Sequence, residues 1–430
     1  MEEVDRMSKL RILYYLLKSR YFQRFNSRQQ LQQYQAKKLA KHYRYLKKHS
    51  PYYQDHAIES DNFMDKQYMM DHFDLLNTVG IKKEQAFEIA LKSESSRDFS
   101  PMIGDISVGL SSGTSGHRGI FLTSPLERDK WAGTILGKLL PQGKLLNHRI
   151  AFFMRANNQL YNTIQSKFID FKFYDMYRPL DELISELIHQ QPTIVVAPAS
   201  VLLHIAMQLE DQVDSIRPIK VISVAEVLEE RDAQFIQKVL KQDHIHQIYQ
   251  CTEGFLGSSC EHGTIHLNED IVHIELYWLD DSRFHPIITD FNRQSQPIIR
   301  YLLNDILVKK SEPCPCGSTF MAIEAIEGRS DDIFEFASQL DEQTTVAVYP
   351  DFIRRCMLYI DDIINYRVIQ KTDQSIEIQY QGNPDHQALI INQFEQLAEQ
   401  LNFQLTDIHF APYNQPKETK LKRVIKEPLP

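Results

Sequence analysis

Hydrophobic positions in the middle of the chain alternate between a helical and a strand-like period. Within 179–189, Leu180, Leu183, Ile184, Leu187 and Ile188 recur at the spacing that places them on one helix face. Short apolar runs on either side fit buried strands. The predicted strands are 149–154, 193–197, 220–224 and 246–249, and the predicted helices are 179–189, 199–209 and 229–241. Because strands that alternate with helices form βαβ units, the pattern predicts an α/β fold with a mostly parallel sheet.

The pattern changes in the second half of the chain. Residues 264–308 alternate short apolar and polar runs, which is typical of antiparallel strands. Past Gly328, strands at 366–369 and 375–379 and a helix at 386–401 predict a small α+β domain. We therefore expect a basic helical segment (1–50), a large domain (51–330) with a parallel sheet and an antiparallel β region, and a small mobile C-terminal lid (331–430).

Composition narrows the class of protein. The 430 residues are 43% hydrophobic and 24% charged, which favours a globular protein of two or three domains over a fibrous or disordered chain. The richest apolar stretch, 194–207, contains Pro198, Ser200 and His204 and is too short and too polar to cross a bilayer. The N-terminus has no signal-peptide pattern. Five cysteines, an odd number, argue against a secreted disulfide framework, so we expect a cytoplasmic enzyme.

Charge is distributed unevenly. Residues 1–50 contain 13 Lys/Arg and 3 Asp/Glu, a balance of +10, so the net charge of −9 leaves −19 for the rest. One interpretation is a pair of surface helices packed on an acidic body, and the alternative is an arm that meets nucleic acid or an anionic membrane. Ser27 and Gln30 form a capping-box pattern. The stripe that follows, which needs a core to bury it, is Leu31, Tyr34, Leu39, Tyr43 and Leu46.

A glycine- and hydroxyl-rich loop is the first candidate site. Five of the 15 glycines fall between Gly104 and Gly119. Glycines let backbone N–H groups converge on an anion, and hydroxyls add donors. The loop lacks the Gly-Lys-Ser/Thr of a Walker A motif, and a flexible turn is the alternative reading. The candidate anion-binding residues are Ser111, Ser112, Gly113, Thr114, Ser115, Gly116, Arg118 and Gly119.

Further motifs follow this loop in a definite order. Tyr249 to Gly254 come after a predicted strand, where open α/β sheets place ligand-binding residues. The others are Thr289-Asp290, Pro297 to Tyr301, Asp305, Gly328 to Asp332 and Lys420 to Arg423. Together with 40–53, this series resembles the adenylate-forming superfamily, and within it most of the chain is similar to the phenylacetate–CoA ligase branch. The resemblance implies an AMP-forming acid–thiol ligase.

The resemblance also implies roles around ATP. The loop from Ser111 to Gly119 would bind the pyrophosphate portion of ATP, and Thr252 would contact the phosphates. Glu253 would bind Mg²⁺, a cation that prefers oxygen ligands. Ala225 and Glu226 would flank the adenine, on which Tyr249 would pack.

The same resemblance assigns the ribose and the catalytic step. Asp305 would accept hydrogen bonds from both ribose hydroxyls, framed by Arg300 and Tyr301. Lys420, in a segment similar to the superfamily's terminal Gly-Lys-x-x-Arg signature with Thr419 at the glycine, would stabilise charge in the transition state. Arg329 completes the implied catalytic set and Asp331 the implied hinge. The nearby Lys422 and Lys426 are expected to be dispensable.

At three places the sequence departs from the motifs of the resembled superfamily, and these departures leave the identity of the acid and of the acyl acceptor undecided. Arg118 stands where the superfamily has lysine, which preserves the charge. Residues 333–338 lack the usual glycine-rich stretch, which puts docking of a thiol substrate in question. Residues 155–174 carry Asn157, Asn158 and Gln159 instead of a glycine-rich acyl-pocket segment.

The expected function is ATP- and Mg²⁺-dependent activation of a carboxylic acid, aryl acids included, and transfer to CoA. The alternatives are transfer to a carrier-protein thiol or an amine, and a non-catalytic nucleotide-binding scaffold. We expect no transmembrane segment and no nucleic-acid partner, since readout motifs are missing beyond the arm. A homodimer is compatible with the sequence.

A second candidate site consists of cysteines and a histidine. Cys260, His266, Cys314 and Cys316 supply three thiols and an imidazole, the donor set of tetrahedral structural zinc. Similar cysteine sets in relatives of the resembled branch support this interpretation. The alternative is four unrelated side chains in a reduced protein. Cys251 and Cys356 have no such partners and fit small buried hydrophobic residues.

Overall fold

A computed structural model of the chain contains alternating strands and helices across its middle third. The structure describes residues 2–57, 62–96, 101–111, 118–154, 164–166, 168–212, 214–341, 343–358, 360, 363, 365–414 and 421–427. Two compact units are present. Unit 1 comprises Met1–Trp278, Pro286–Leu303 and Lys309–Glu324, and unit 2 comprises Leu279–His285, Asn304–Val308 and Ala325–Pro430. The two short segments of unit 2 are not separated from the large domain by any pattern in the sequence.

Unit 1 begins with helices and a small sheet. The helices are α1 (Glu2–Leu17), which continues into a π-helical turn (Lys18–Phe22), α2 (Arg28–His49), α3 (Pro51–Asp55), α4 (Lys66–Asp71), α5 (Phe73–Leu76) and α6 (Lys83–Ser96). The antiparallel strands β1 (Met102–Ile103), β2 (Ile106–Leu110) and β3 (Ile120–Thr123) follow, and then α7 (Pro125–Leu139). Ser124 and Glu127 close a full capping box at the start of α7.

The parallel sheet is the core of unit 1. Its elements are β4 (His148–Met154), β5 (Ile169–Asp175), α8 (Leu180–Gln190), β6 (Ile194–Pro198), α9 (Ala199–Leu209), a 3-10 turn (Glu210–Gln212), β7 (Lys220–Val224), α10 (Glu230–Leu240) and β8 (His246–Cys251). The parallel strands lie in the order β5-β4-β6-β7-β8. The predicted mostly parallel sheet is thus confirmed, and β5, which the sequence analysis did not predict, adds a strand at its edge.

Both faces of this sheet are covered, which explains the apolar runs of its inner strands β4 and β6. Successive side chains of a strand point to opposite faces. Ala151 and Phe153 of β4 pack in a core with α8, α9 and α10, whereas Ile150 and Phe152 pack on the other face with α7 and Leu16 of α1. A helix layer on each face is the arrangement expected for βαβ units.

Antiparallel strands extend unit 1 as predicted. They are β9 (Gly254–Ser259), β10 (Ile265–Leu267), β11 (His273–Trp278), β12 (Arg283–Asp290), β13 (Ile298–Leu302), β14 (Asp305–Lys309) and β15 (Ala322–Arg329), of which β12, β14 and β15 are divided between the units. β9 pairs antiparallel with β8 and with β10.

The N-terminal arm (residues 1–50) is a pair of helices packed on the rest of unit 1. Ser27 caps α2 by accepting from the Gln30 N–H. The Gln30 side chain accepts from the Asn26 N–H rather than from Ser27, so only half of a capping box is present. The buried face of α2 includes polar Gln35 and His42, which a count of hydrophobic positions missed. Burial lowers the pKa of His42 to about 4, so this imidazole is neutral at pH 7.

Unit 2 is the small α+β domain that the sequence predicts. After a 3-10 turn (Ser330–Asp332), it contains β16 (Phe334–Ala337), β17 (Thr345–Val348), α11 (Pro350–Leu358), β18 (Asn365–Gln370), β19 (Ile376–Gln381), α12 (His386–Leu401), β20 (Ile408–Pro412) and β21 (Val424–Lys426). Its four-stranded sheet has the order β20-β19-β18-β21. Phe334 and Phe336 of β16 are fully buried beside α12. Among the described residues, no helix is long and apolar enough to span a membrane.

Candidate functional site

The base of the glycine-rich loop is a closed hairpin end. The Ser111 N–H donates to the Gly119 carbonyl at 2.8 Å, and the Gly119 N–H donates to Ser111 Oγ at 2.7 Å. Arg118 Nε donates to the Ser111 carbonyl at 3.4 Å. The stem of Lys66, a residue that the sequence analysis did not consider, lies 3.8 Å from where a Cβ at Gly119 would stand. The remaining loop residues, Ser112, Gly113, Thr114, Ser115 and Gly116, lie outside the described part of the chain.

A buried carboxylate follows the end of β8. Glu253 is 7% exposed, and Tyr301 Oη donates to its Oε1 at 3.0 Å. Burial and the adjacent Glu253 raise the pKa of Tyr301 far above its usual range, so the phenol remains a donor at neutral pH. Tyr301 therefore holds the predicted magnesium ligand, a contact that the expected ribose-framing role did not include. Tyr249, which lies on β8 itself, is buried.

Two further charged groups lie beside this strand end. Arg293 Nη1 donates to the Thr252 carbonyl at 2.6 Å and fixes the backbone before Glu253. Asp290 is buried. Its Oδ2 lies 3.4 Å from the position that a Cβ atom at Gly254 would occupy. Burial raises the pKa of Asp290 to about 6. Arg293 belongs to no motif that we singled out, because the polar run from Asn292 to Gln296 gives no sign in the sequence that this arginine is buried.

The predicted adenine-flanking pair has a well-defined geometry. Ala225 adopts the left-handed conformation with φ of +68°, directly after β7. Glu226 Oε2 accepts from the Ser200 N–H at 3.0 Å and from Ser200 Oγ at 2.7 Å. Glu226 therefore ties the end of β7 to the first turn of α9, where a carboxylate also faces the positive end of the helix dipole.

Arg300 makes a specific ion pair within unit 1. Its Nε and Nη2 donate to the two Glu275 oxygens at 3.1 and 3.2 Å, and its guanidinium lies 5.0 Å from the Phe63 ring centre. Its backbone has φ of +43°, and its N–H donates to Thr289 Oγ1. A left-handed conformation at a non-glycine residue is costly and is retained where surrounding contacts demand it.

In unit 2 the structure brings two predicted site residues together. Arg329 Nε lies 3.4 Å from Asp305 Oδ1, although 24 positions separate them in the chain. Asp331, the predicted hinge, accepts from Asn304 Nδ2 at 2.7 Å. Lys420 lies outside the described residues.

Lys422 has a partner that the sequence did not reveal. Its Nζ donates to both oxygens of Asp332 at 3.0 Å, and the Asp332 side chain is 9% exposed. Lys426 pairs instead with Glu335, whose side chain is 57% exposed. The two lysines, expected to be equally dispensable, therefore differ in their surroundings.

The cysteine–histidine residues form one cluster in unit 1. Their ligand atoms all lie within 4.8 Å of one another. Cys260 Sγ is 3.7 Å from Cys314 Sγ, and Cys316 Sγ is 3.3 Å from His266 Nε2. Two sulfurs on a tetrahedral zinc with bonds of about 2.3 Å stand about 3.8 Å apart, which matches the first distance. His266 Nδ1 contacts the Phe320 carbonyl at 3.1 Å, which leaves Nε2 for a metal.

Comparisons with known proteins identify the fold. No family model and no curated protein matches the chain. Solved structures do. 2-Hydroxyisobutyryl-CoA ligase in complex with 2-HIB-AMP is 15% identical over 92% of this chain and 88% of that chain, with a TM-score of 0.63. The anthranilate CoA ligase AuaEII in complex with anthranoyl-AMP is 13% identical over 74% of this chain and 66% of that chain, with a TM-score of 0.51.

A third similar structure has a different chemistry in its name. The amide bond synthetase McbA from Marinactinospora thermotolerans is 11% identical over 72% of this chain and 65% of that chain, with a TM-score of 0.52. At these identities the likeness shows the fold alone. The chain has the fold of adenylate-forming enzymes, as the resemblance predicted, and nothing in these comparisons singles out the phenylacetate–CoA ligase branch.

The Lys422–Asp332 pair generates a stability prediction. Lys422→Met leaves a buried carboxylate without its cation, so we expect the free energy of unfolding to fall by about 1.5–3 kcal/mol. Lys426→Met removes only an exposed pair and should cost about 0–1 kcal/mol. Urea denaturation followed by circular dichroism measures both. Equal losses in the two variants would contradict the role assigned to Lys422.

Proposed function

We propose that the chain activates a carboxylic acid with ATP as an acyl-adenylate and passes the acyl group to CoA. In the first step a carboxylate oxygen attacks the α-phosphorus and pyrophosphate leaves. In the second step the thiol sulfur attacks the acyl carbon, AMP leaves and the thiol loses its proton. The observation that carries the proposal is the buried Glu253, held by Tyr301 next to the carboxyl end of a parallel strand, where α/β sheets bind ligands.

The donor chemistry of this position fits Mg²⁺. A carboxylate kept in place by a neutral phenol supplies the hard oxygen ligand that Mg²⁺ prefers, with phosphate oxygens as further ligands. Bound there, the ion would neutralise phosphate charge. The chain's own part is to orient Glu253, and it does so through Tyr301 and through Arg293, which fixes the Thr252 carbonyl. In the proposal, the loop from Ser111 to Gly119 supplies N–H and hydroxyl donors to the pyrophosphate.

The ribose assignment is supported by the Asp305–Arg329 pair. A carboxylate has two oxygens that can accept hydrogen bonds from two hydroxyls, and the neighbouring guanidinium of Arg329 balances its charge. We retain Asp305 as the ribose ligand and Arg329 as its partner. Arg300, engaged with Glu275, would then contribute indirectly. Glu226, bound to Ser200, would hold the loop at the adenine rather than act as a free base.

The acyl acceptor has a second candidate. Residues 333–338, which lack the glycine-rich stretch usual in the resembled superfamily, contain a strand with buried Phe334 and Phe336. A protein named as an amide bond synthetase shares the fold. An amine or a carrier-protein thiol is therefore the alternative to CoA. A non-catalytic scaffold is less well supported, because it would not need the Tyr301–Glu253 and Arg329–Asp305 contacts.

A structural zinc ion is our second proposal for unit 1. Three thiols and one imidazole fill four tetrahedral positions, so no position remains for a reactive water. The ion would join the turn after β9 to the segment before β15 and contribute to folding rather than chemistry.

Nucleotide affinity tests the ribose assignment. Asp305→Ala leaves two hydroxyls without a charged acceptor, and each such hydrogen bond is worth about 1.5–3 kcal/mol. We expect ATP affinity, measured by calorimetry, to fall at least tenfold. Glu395→Ala removes an exposed carboxylate from α12 and is the matched control. Unchanged affinity in Asp305→Ala would refute the assignment.

Exchange of labelled pyrophosphate into ATP, across a panel of aryl and aliphatic acids, tests the adenylation step. We expect Lys420→Ala to slow this exchange by about two orders of magnitude, because lost charge stabilisation of a transition state costs about 2.7–4 kcal/mol. Thioester formation from supplied acyl-AMP should survive. Lys426→Ala, which loses only an exposed pair, should behave as wild type in both assays. Equal rates in the two variants would remove Lys420 from the mechanism.

Metal analysis tests the zinc proposal. Freshly purified, reduced protein should contain about one zinc per chain, and Cys314→Ser should lose it and melt at a lower temperature. Cys251→Ser, which changes a thiol outside the cluster, should keep the metal. Wild-type protein without zinc would exclude the site and leave the adenylation proposal untouched.

A further inference from the structure

The outward face of α1 is apolar. Met7, Leu10, Leu13 and Tyr14 are each at least half exposed and follow one another at the spacing of a single helix face. The π-helical turn continues this surface with Tyr21 and with Phe22, which is 79% exposed. Contiguous exposed apolar side chains on a globular protein mark an interaction surface. We refer to these six residues as the α1 stripe.

Polar contacts on the opposite side fix this orientation. Ser8 Oγ donates to Asp129 at 2.6 Å, and Arg11 Nε lies 2.6 Å from the same buried carboxylate. At Gly133 of α7, a Cβ would overlap the Ile12 carbonyl, so the two helices are in close backbone contact. Rotating the α1 stripe inward would bury apolar side chains against Asp129 and break these contacts. The stripe therefore faces outward as a consequence of how α1 is docked.

The surroundings of the α1 stripe are cationic. Residues 6–50 contain 13 Lys/Arg and no Asp/Glu. Lys18 Nζ lies 5.9 Å from the ring centres of both Tyr14 and Tyr15. Burial, followed by the positive charges of Lys18, Lys130 and Lys41, lowers the pKa of Lys38. These ammonium groups are therefore close enough to repel Lys38.

We propose that the α1 stripe and the lysines beside it form a binding surface for a bilayer that contains anionic phospholipid. A helix that lies flat on a membrane needs an outward apolar face, aromatic residues at the boundary and cations near the headgroups. The α1 stripe supplies the first two. Lys18, Lys38 and Lys41 supply the third, since anionic headgroups would relieve the repulsion among them.

A second copy of the chain is the less favourable occupant. Two arms of +10 each would have to approach face to face. The 16 residues of α1 form a strip about 24 Å long and about 10 Å wide, or roughly 240 Å². A stable dimer buries about 800 Å² per partner. Charge and area both favour a lipid surface, which is anionic and unlimited in extent.

Flotation of the full chain with lipid vesicles tests the proposal. We expect binding to vesicles that contain phosphatidylglycerol, little binding to phosphatidylcholine alone, and loss of binding at about 1 M salt, where the Debye length is about 3 Å. Leu10→Glu with Leu13→Glu should weaken binding at least tenfold. Lys18→Gln with Lys41→Gln should weaken it about fivefold per lysine.

Matched controls separate this effect from misfolding. Leu340→Glu with Leu389→Glu changes two leucines of unit 2 that are 79% and 53% exposed and should leave vesicle binding unchanged. Near-UV circular dichroism checks that each variant is folded. Equal binding by the Leu10/Leu13 variant, or equal binding to neutral vesicles, would overturn the proposal. So would a dimer in sedimentation velocity that the Leu10/Leu13 variant dissociates, because a second copy would then cover the α1 stripe.

Discussion

Carboxylates buried in unit 1 need hydrogen-bond donors, and meeting that need organises much of the structure. Glu127 shows the requirement most clearly. It accepts from the N–H and hydroxyl of both Ser124 and Ser295 and from the Gln294 N–H. Burial alone would raise the pKa of Glu127, but these donors lower it, so the group stays ionised. The loop before β13 is thereby joined to the start of α7.

The same requirement explains the arm. Arg11 reaches Asp129 and Arg28 reaches Glu269, and both acceptor side chains are 4% exposed. A buried charge without a partner is costly, so the cations of α1 and α2 stabilise carboxylates of the body. The charge asymmetry of the sequence is thus partly an internal pairing. Lys18, Lys38 and Lys41 take no part in these two pairs and belong to the surface proposed for lipid headgroups.

Periodicity predicted the framework of the fold because burial on two faces leaves a strong signal. The helix at 199–209 and the strand at 220–224 have the predicted bounds. The edge strand Ile169–Asp175 was missed because Asp170 and Lys172 interrupt its apolar run. Contacts between distant positions, such as Tyr301 with Glu253 or Lys422 with Asp332, leave no local pattern in the sequence. Sequence motifs can therefore single out these residues, but they do not show which residue contacts which. The loop at 112–117 and Lys420 remain predictions.

The contacts that secure the arm also impose an order on biosynthesis. Arg28 pairs with Glu269, which lies 241 positions later in the chain. At about 5–20 residues per second, on the order of ten to fifty seconds of translation separate the two residues. During that interval α2 lacks its partner Glu269, although Asp129, the partner of Arg11 in α1, follows Arg11 by only 118 positions. The two helices of the arm therefore acquire their partners at different times, because α1 can pair with Asp129 early whereas Arg28 of α2 waits for a residue made 241 positions after it.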